Sequence, residues 1–294
     1  MSPTGPDSQL GVARSIRALR ARVDGWRSAG KSVAFVPTMG ALHKGHISLV
    51  RQAGRLADMV VASIFVNPKQ FAPHEDLSTY PRTEAADLEM LAAAGCHLAY
   101  CPTAEEIYPN GFQTEVTVAG VAAGLESAAR PHFFGGVATV VLKLLNQVRP
   151  NIAVFGEKDY QQLLVVRRMA RDLDLGIEII GGETVREADG LAMSSRNAYL
   201  SADERVVAGR LNVILKSVAE KIAAGAPIGE AMREGRDRLA AAGFSRIDYL
   251  ETRLATDLSP LTEGPLPVAA EARILAAAAV GRTRLLDNWP VARS

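Results

Sequence analysis

His43 and His46 lie three residues apart in the run Val36, Pro37, Thr38, Met39, Gly40, Ala41, Leu42, His43, Lys44, Gly45, His46. Gly40 and Gly45 let the backbone come close to a ligand. A helix starting near His46 offers unpaired N–H groups and a partial positive charge, both suited to phosphate. The imidazoles can add hydrogen bonds to polyphosphate oxygens and offset charge on a leaving pyrophosphate. Three readings fit this spacing: a phosphate site, a tight strand–helix turn with two exposed histidines, and a metal site.

Three further clusters carry suitable side chains. Asn67 to Phe71 contains Gln70, whose amide can read a hydroxyl and a carboxylate together; on its own the string reads first as a plain polar turn after a strand. In Phe155 to Gln162, Gly156 permits close approach, Lys158 brings a mobile charge, Asp159 can accept from ribose hydroxyls, and Gln162 falls about a turn later. Val185 to Asn197 contains Met193, Ser194, Ser195 and Arg196, hydroxyls and a cationic fork able to grip phosphates. Its other reading is a solvated interdomain loop.

These clusters need a scaffold. Ser32 to Val36 and Met59 to Val66 are apolar runs of strand length, and the second has no polar alternation, as in a parallel strand covered on both faces. Between them the pattern predicts a helix over about 46–56, giving a βαβ unit. Helices are expected near 12–29, 84–94, 136–148 and 160–172, with strands at 97–100, 152–155 and 177–180. This alternation argues for a doubly wound, Rossmann-like α/β domain with a parallel sheet. The first three clusters then follow a strand's carboxyl end, where open α/β sheets bind ligands, and Val185 to Asn197 lies at the expected domain junction. Past Thr184 the texture changes to alanine-rich helices near 202–223 and 227–242, with strands at 247–252, 273–279 and 283–286. We therefore expect two domains, 1–184 and a smaller C-terminal α+β domain over 185–294.

Composition narrows the classes. A net charge of +1 gives no global attraction to nucleic acid or an anionic membrane. No apolar run reaches the roughly 18 residues of a membrane span, and the N-terminus carries no signal pattern. Cys96 and Cys101 lack zinc-ligand spacing and read as buried thiols, which fits a reducing, cytoplasmic setting.

HxGH at a first strand–helix turn resembles the nucleotidyltransferase superfamily, which includes class I aminoacyl-tRNA synthetases. The longer string from Pro37 to His46 resembles the pantothenate synthetase family more narrowly. Gly156 to Leu163, Val185 to Asn197 and Thr283 to Asn288 are similar to further family strings in the same order. The resemblance implies an enzyme that adenylates pantoate with MgATP and passes the acyl group to β-alanine, working as a homodimer without nucleic-acid or membrane partners. It implies that Pro37 to His46, Gly156, Glu157, Lys158, Asp159, Val185 and Met193 to Arg196 form the ATP site. His46, His43, Lys158 and Arg196 become the catalytic residues, with His46 the proton donor. Gln70, Gln162 and Met39 meet the acid substrates, and Asp87 is the candidate to approach magnesium.

Arg130 to Val137 departs from the family pattern: Phe133 stands where the family has histidine, and His132 where it has glycine. The runners-up are another adenylate-forming enzyme on the same fold and a nucleotide-sensing protein without catalysis. A tRNA synthetase is disfavoured by the absence of a basic appendage.

Overall fold

The computed structural model describes residues 10–73 and 75–291. Contacts divide the chain into two compact units, 1–157 with 165–183, and 158–164 with 184–294. Residues 158–164 cluster with the second unit.

In the first unit the elements run β1 (Gly11–Ala13), α1 (Ile16–Ser28), β2 (Val33–Thr38), α2 (Lys44–Leu56), β3 (Met59–Ile64), α3 (Glu84–Ala93) and β4 (Leu98–Tyr100). Two short helices, α4 (Ala104–Ile107) and α5 (Glu126–Ala129), precede α6 (Phe133–Val148) and β5 (Ile152–Gly156). After α7 (Tyr160–Asp172), whose first turn belongs to the second unit, β6 (Glu178–Gly182) completes the sheet. The order is β1-β4-β3-β2-β5-β6, with every pairing parallel. From β2 the chain builds outward through β3 and β4, then crosses back to β5 and β6. The order therefore reverses beside β2, and the carboxyl ends of β2 and β5 flank the switch point where such sheets bind ligands.

Side-chain alternation splits the strands between two buried faces. Ala34, Val36, Val60, Ala62, Ala99 and Val154 join Leu49, Val50 and Ala53 of α2 and Leu91 of α3 in one cluster. Phe35 and Tyr100 alternate with these residues and are fully buried. The Tyr100 hydroxyl donates to Oε1 of Gln147 on α6 at 2.9 Å, which satisfies both polar groups in the core. Cys96 and Cys101 are buried free thiols, and burial pushes them up to about 12 and about 11, so they behave as small hydrophobes.

The second unit follows with α8 (Ala202–Ala223), α9 (Ile228–Ala241), β7 (Arg246–Leu254), β8 (Pro260–Leu261), β9 (Ala272–Val280) and β10 (Thr283–Val291). Its antiparallel sheet has the order β10-β9-β7-β8. Leu211, Leu215, Val218 and Ile222 of α8 share one core with Ile274, Ala276 and Ala278 of β9 and Leu285 of β10. Ser201 caps α8 and exchanges hydrogen bonds with Glu204. Among the described residues no helix is long and apolar enough to cross a membrane.

Phe35→Ala should destabilise the parallel-sheet unit by about 3–5 kcal/mol, the usual cost of emptying a buried phenylalanine site. Thermal unfolding followed by far-UV circular dichroism would register a clear drop in melting temperature.

Candidate functional site

The backbone leaving β2 is fixed before any functional side chain is reached. The Thr38 hydroxyl donates to the Ser63 carbonyl at 2.6 Å and accepts from the Gly40 N–H at 3.2 Å. Gly40 has φ +79, and a Cβ there would stand 3.0 Å from Oδ2 of Asp87. Ala41 follows at φ +48, a conformation that costs a residue with a side chain. Asp87, on α3 and 2% exposed, accepts the Ala41 N–H at 2.9 Å and the Leu42 N–H at 2.8 Å, one on each oxygen. The Thr83 hydroxyl donates to it at 3.2 Å. Asp87, put forward from sequence for magnesium, is thus engaged in holding this turn. Among the described residues no group of three or more His, Cys, Asp or Glu side chains could hold a metal ion.

The turn delivers His43 to the N-cap of α2. Its Nδ1 accepts the Gly45 N–H at 3.2 Å, and Nδ1 of His46 accepts the His43 N–H at 3.3 Å. An accepting Nδ1 carries no hydrogen, so in each ring the hydrogen is assigned to Nε2. The rings lie 4.0 Å apart between centroids, tilted by 35°. Two side-chain N–H groups therefore stand at the start of α2, where the helix dipole favours an anion. Lys44, in the same turn, is exposed.

After β3 the chain makes a 3-10 turn at Pro68–Gln70. Buried Asn67 donates from Nδ2 to Oε1 of Gln70 and to the Gly136 carbonyl, both at 3.1 Å. Its Oδ1 accepts the Tyr108 hydroxyl at 2.8 Å. With the Gln70 oxygen engaged, its amide nitrogen is the half left to donate, and one N–H reaches Sδ of Met39 at 2.9 Å. Met39 and Gln70 are thereby brought together. At the end of β5, Gly156 needs glycine for neither conformation nor packing: its φ is ordinary, and an added Cβ would make only a 3.8 Å contact with Leu49.

In the second unit, Lys158 follows Glu157, and its Nζ lies 3.4 Å from Oδ1 of Asp159. The Lys158 carbonyl accepts from Nδ2 of Asn288 on β10 at 2.8 Å. The Tyr160 hydroxyl donates to the Ala255 carbonyl at 2.9 Å, and the Arg273 guanidinium covers the Tyr160 ring at 3.8 Å. Gln162 is half-buried on the first turn of α7.

Val185 to Met193 forms a tight hairpin. The Met193 N–H donates to the Val185 carbonyl at 3.0 Å, the Glu187 N–H to the Leu191 carbonyl at 2.9 Å, and Gly190 turns the chain at φ +86. Ser194 then caps a 3-10 turn at Ser195–Tyr199, its hydroxyl accepting the Arg196 N–H at 3.3 Å. Arg186 clamps the hairpin to β10 through both oxygens of buried Asp287, at 2.7 and 3.0 Å. The adjacent Asn288 holds Lys158, so the Lys158–Asp159 and Val185–Arg196 clusters share one anchor.

Arg205 steadies the hairpin's other side through Glu187 and Asp189. Its hydrogen bonds hold Glu187 below its ordinary value. For Asp189 burial pulls upward, but Arg205 and the Leu191 N–H outweigh it and the carboxyl also titrates low. Sequence reasoning missed Asn67, Arg186, Arg205, Asp287 and Asn288 as builders of the site. A signal existed for two of them: Asp287 and Asn288 are adjacent polar residues within the largely apolar run Leu285 to Val291, and each is 3% exposed.

A family model described as pantoate-β-alanine ligase matches residues 11–290. The chain belongs to that family. It is 58% identical over 280 residues to a pantothenate synthetase of Caulobacter vibrioides, covering 95% of this chain and 98% of the relative. A pantothenate synthetase of Thermus thermophilus superposes with a TM-score of 0.88 at 45% identity, over 96% of this chain and 99% of that one. A pantoate-β-alanine ligase of Francisella tularensis, solved with β-γ ATP and β-alanine, gives 0.80 at 32% identity, over 95% and 97%. Family membership covers every cluster above, including the β10 anchor.

Two outcomes test these supports. Asp87→Ala leaves two N–H groups of a buried turn without their acceptor, so amide exchange at Ala41 and Leu42 should quicken by about 10–100-fold, and excess magnesium should not reverse it. Depressed carboxylates stabilise the fold above their unfolded values, 4.5 for Glu187 and 3.8 for Asp189, and lose that effect as pH falls through the folded values. The melting temperature of Arg205→Ala should therefore lie below wild type above about pH 5 and converge with it in stronger acid.

Proposed function

We propose that the chain condenses (R)-pantoate with β-alanine to give pantothenate, at the expense of ATP and through a pantoyl-adenylate intermediate. A carboxylate oxygen of pantoate attacks the α-phosphorus of MgATP. The bond from that phosphorus to the oxygen bridging to the β-phosphate breaks, and pyrophosphate leaves. The amine of β-alanine then attacks the activated carbonyl, an amide bond forms, the bond to the phosphate oxygen breaks, and AMP leaves. The amine sheds its extra proton in that second step.

The observation that carries this reading is the pair of Nε2–H donors set at the start of α2 in a chain of the pantoate-β-alanine ligase family. In our assignment His43 and His46 donate to phosphate oxygens where charge develops in the transition state, the most effective use of fixed donors. His46, as an imidazolium, gives its Nε2 proton to departing pyrophosphate and is left a neutral imidazole. Lys158, Ser194, Ser195 and Arg196 supply charge and hydrogen bonds to the phosphates, and Gly156 to Asp159 hold the nucleotide. Val185 and Met193 give adenine an apolar wall. Gln70, through its donating amide nitrogen, and Gln162 bind the oxygens of pantoate beside Met39.

Magnesium enters as part of the MgATP substrate, held by phosphate oxygens and water as is usual for this ion, and supplies charge neutralisation. The donor set fits that arrangement, because Asp87 is engaged with backbone and the phosphate-facing residues are cationic or neutral donors. We extend the proposal to a cytoplasmic homodimer, which light scattering on the purified chain would test.

Pyrophosphate release from MgATP should require pantoate, and AMP formation should then require β-alanine. Pyrophosphate release with a different acid and none with pantoate would overturn the substrate assignment. His46→Ala should lower turnover by about 10²–10³, the usual effect of removing one donor to developing charge. Normal turnover in that variant would remove His46 from the proton-donor role.

A further inference from the structure

Arg130 reaches the loop that carries Gln70 without belonging to any cluster above. Its Nη2 donates to the Gln70 backbone carbonyl at 3.0 Å. Nε and Nη2 donate to the two carboxylate oxygens of Glu75, each at 2.6 Å, so the guanidinium grips Glu75 as a fork. Nη1 lies 3.6 Å from Oε2 of Glu126, which is 4% exposed. The guanidinium carbon stands 4.0 Å from the centroid of the Phe133 ring, within range for a cation–π contact. The Phe133 N–H in turn donates to the Arg130 carbonyl at 3.0 Å, which fixes the plate under the cation.

The same corner is locked from the helix side. A Cβ on Gly136 would lie 2.3 Å from the Lys69 carbonyl oxygen and 2.9 Å from the Gln70 nitrogen, so the first turn of α6 and the Pro68–Gln70 turn touch backbone to backbone. Gln70 is thus held by Asn67 on its amide oxygen, by Met39 at its amide nitrogen and by Arg130 on its carbonyl. Of these contacts the Arg130 one is charge-assisted, and it also ties the turn to the following segment through Glu75. Burial alone would raise Glu75, but the hydrogen bonds and charge of Arg130 outweigh it and keep the carboxylate ionised.

We propose that Arg130 is a positioning residue for recognition of the acid substrate: it sets the backbone of Gln70, with Glu75 as its counter-charge and Phe133 as its stacking surface. The proposal rests on the reading that Gln70 binds pantoate. It also gives Phe133 a task at the position where the family pattern has histidine. An aromatic face under the guanidinium is what the geometry uses, and a ring nitrogen is not required.

The experiment is steady-state pyrophosphate release by the full chain, with KM measured separately for pantoate and ATP. Arg130→Ala should raise KM for pantoate about tenfold or more while KM for ATP stays within about twofold, since losing a charged hydrogen bond typically costs that much. Glu75→Gln, which keeps the shape but loses the counter-charge, should move the same constant in the same direction, and it decides the matter if Arg130→Ala does not fold. Phe133→Leu should raise KM for pantoate severalfold, whereas Phe133→Tyr should retain the wild-type value. Gln70→Ala separates the two layers. If it raises KM for pantoate and the Arg130 and Glu75 variants do not, the positioning role is overturned while the reading of Gln70 stands. If Gln70→Ala leaves that constant unchanged, the reading of Gln70 itself falls. Equal changes in both substrates' constants in the Arg130 and Glu75 variants would show a general structural role and also overturn the proposal.

Discussion

Both oxygens of Asp87 are engaged by the backbone N–H groups of Ala41 and Leu42, and the course of everything after Leu42 follows from that contact. A buried carboxylate is costly unless its charge meets donors. Here two N–H groups and the Thr83 hydroxyl meet it, and in return a residue with a side chain is kept at positive φ. The sharp turn that results brings His43 to the helix N-cap instead of continuing the strand. From the cap, the His43 N–H reaches His46, so the carboxylate on α3 indirectly orients both rings.

Elsewhere in the molecule the clusters are held by arginines bonded to a carbonyl and a carboxylate at once. Arg130 takes the Gln70 carbonyl and Glu75; Arg186 takes the Gly190 carbonyl and Asp287. Exposed ion pairs contribute little stability on their own. These pairs matter more for geometry: a planar fork fixed by a carboxylate presents its remaining N–H to one backbone oxygen in one direction. Loops have no ladder of their own to define them, so this is how a segment such as 185–193 acquires a single shape within its unit.

The scaffold was legible where periodicity was strong. The unbroken apolar run from Met59 to Val66 announced a buried parallel strand, now β3, and the three- and four-residue spacing of Ile16, Leu19, Val23 and Trp26 announced α1. The three-residue β1 was lost because Val12 also fits the start of the helical pattern that follows it. The run of β2 through Pro37 was lost because proline usually ends a strand. It survives here because β2 pairs with β5 only at Ala34 and Phe35, so beyond them that flank has no ladder for a missing N–H to break. In the candidate site the residue types were readable, while their supports were not. Asp87 acts across 45–46 residues, Arg130 across 60 and Arg186 across 101. No local pattern encodes such pairings, so Asp87 was legible only as an acidic residue in a suggestive string.

The use of histidine at the cap can be argued from valence. Serine, threonine or aspartate would satisfy the first-turn N–H groups as well, and they are the residues helices usually choose. Each ends at the oxygen that caps. An imidazole accepts at Nδ1 and still carries an N–H on the far side of the ring, so a side chain that caps the helix keeps a donor as well. The arrangement also fixes which proton is in play. A ring protonated at Nδ1 could no longer accept the Gly45 or His43 N–H, so taking up a second ring proton breaks the cap bond, and giving one up restores it. Whatever proton either histidine contributes to chemistry is therefore the one on Nε2. The two rings, 4.0 Å apart and capped in series, present those protons as a pair set by the backbone.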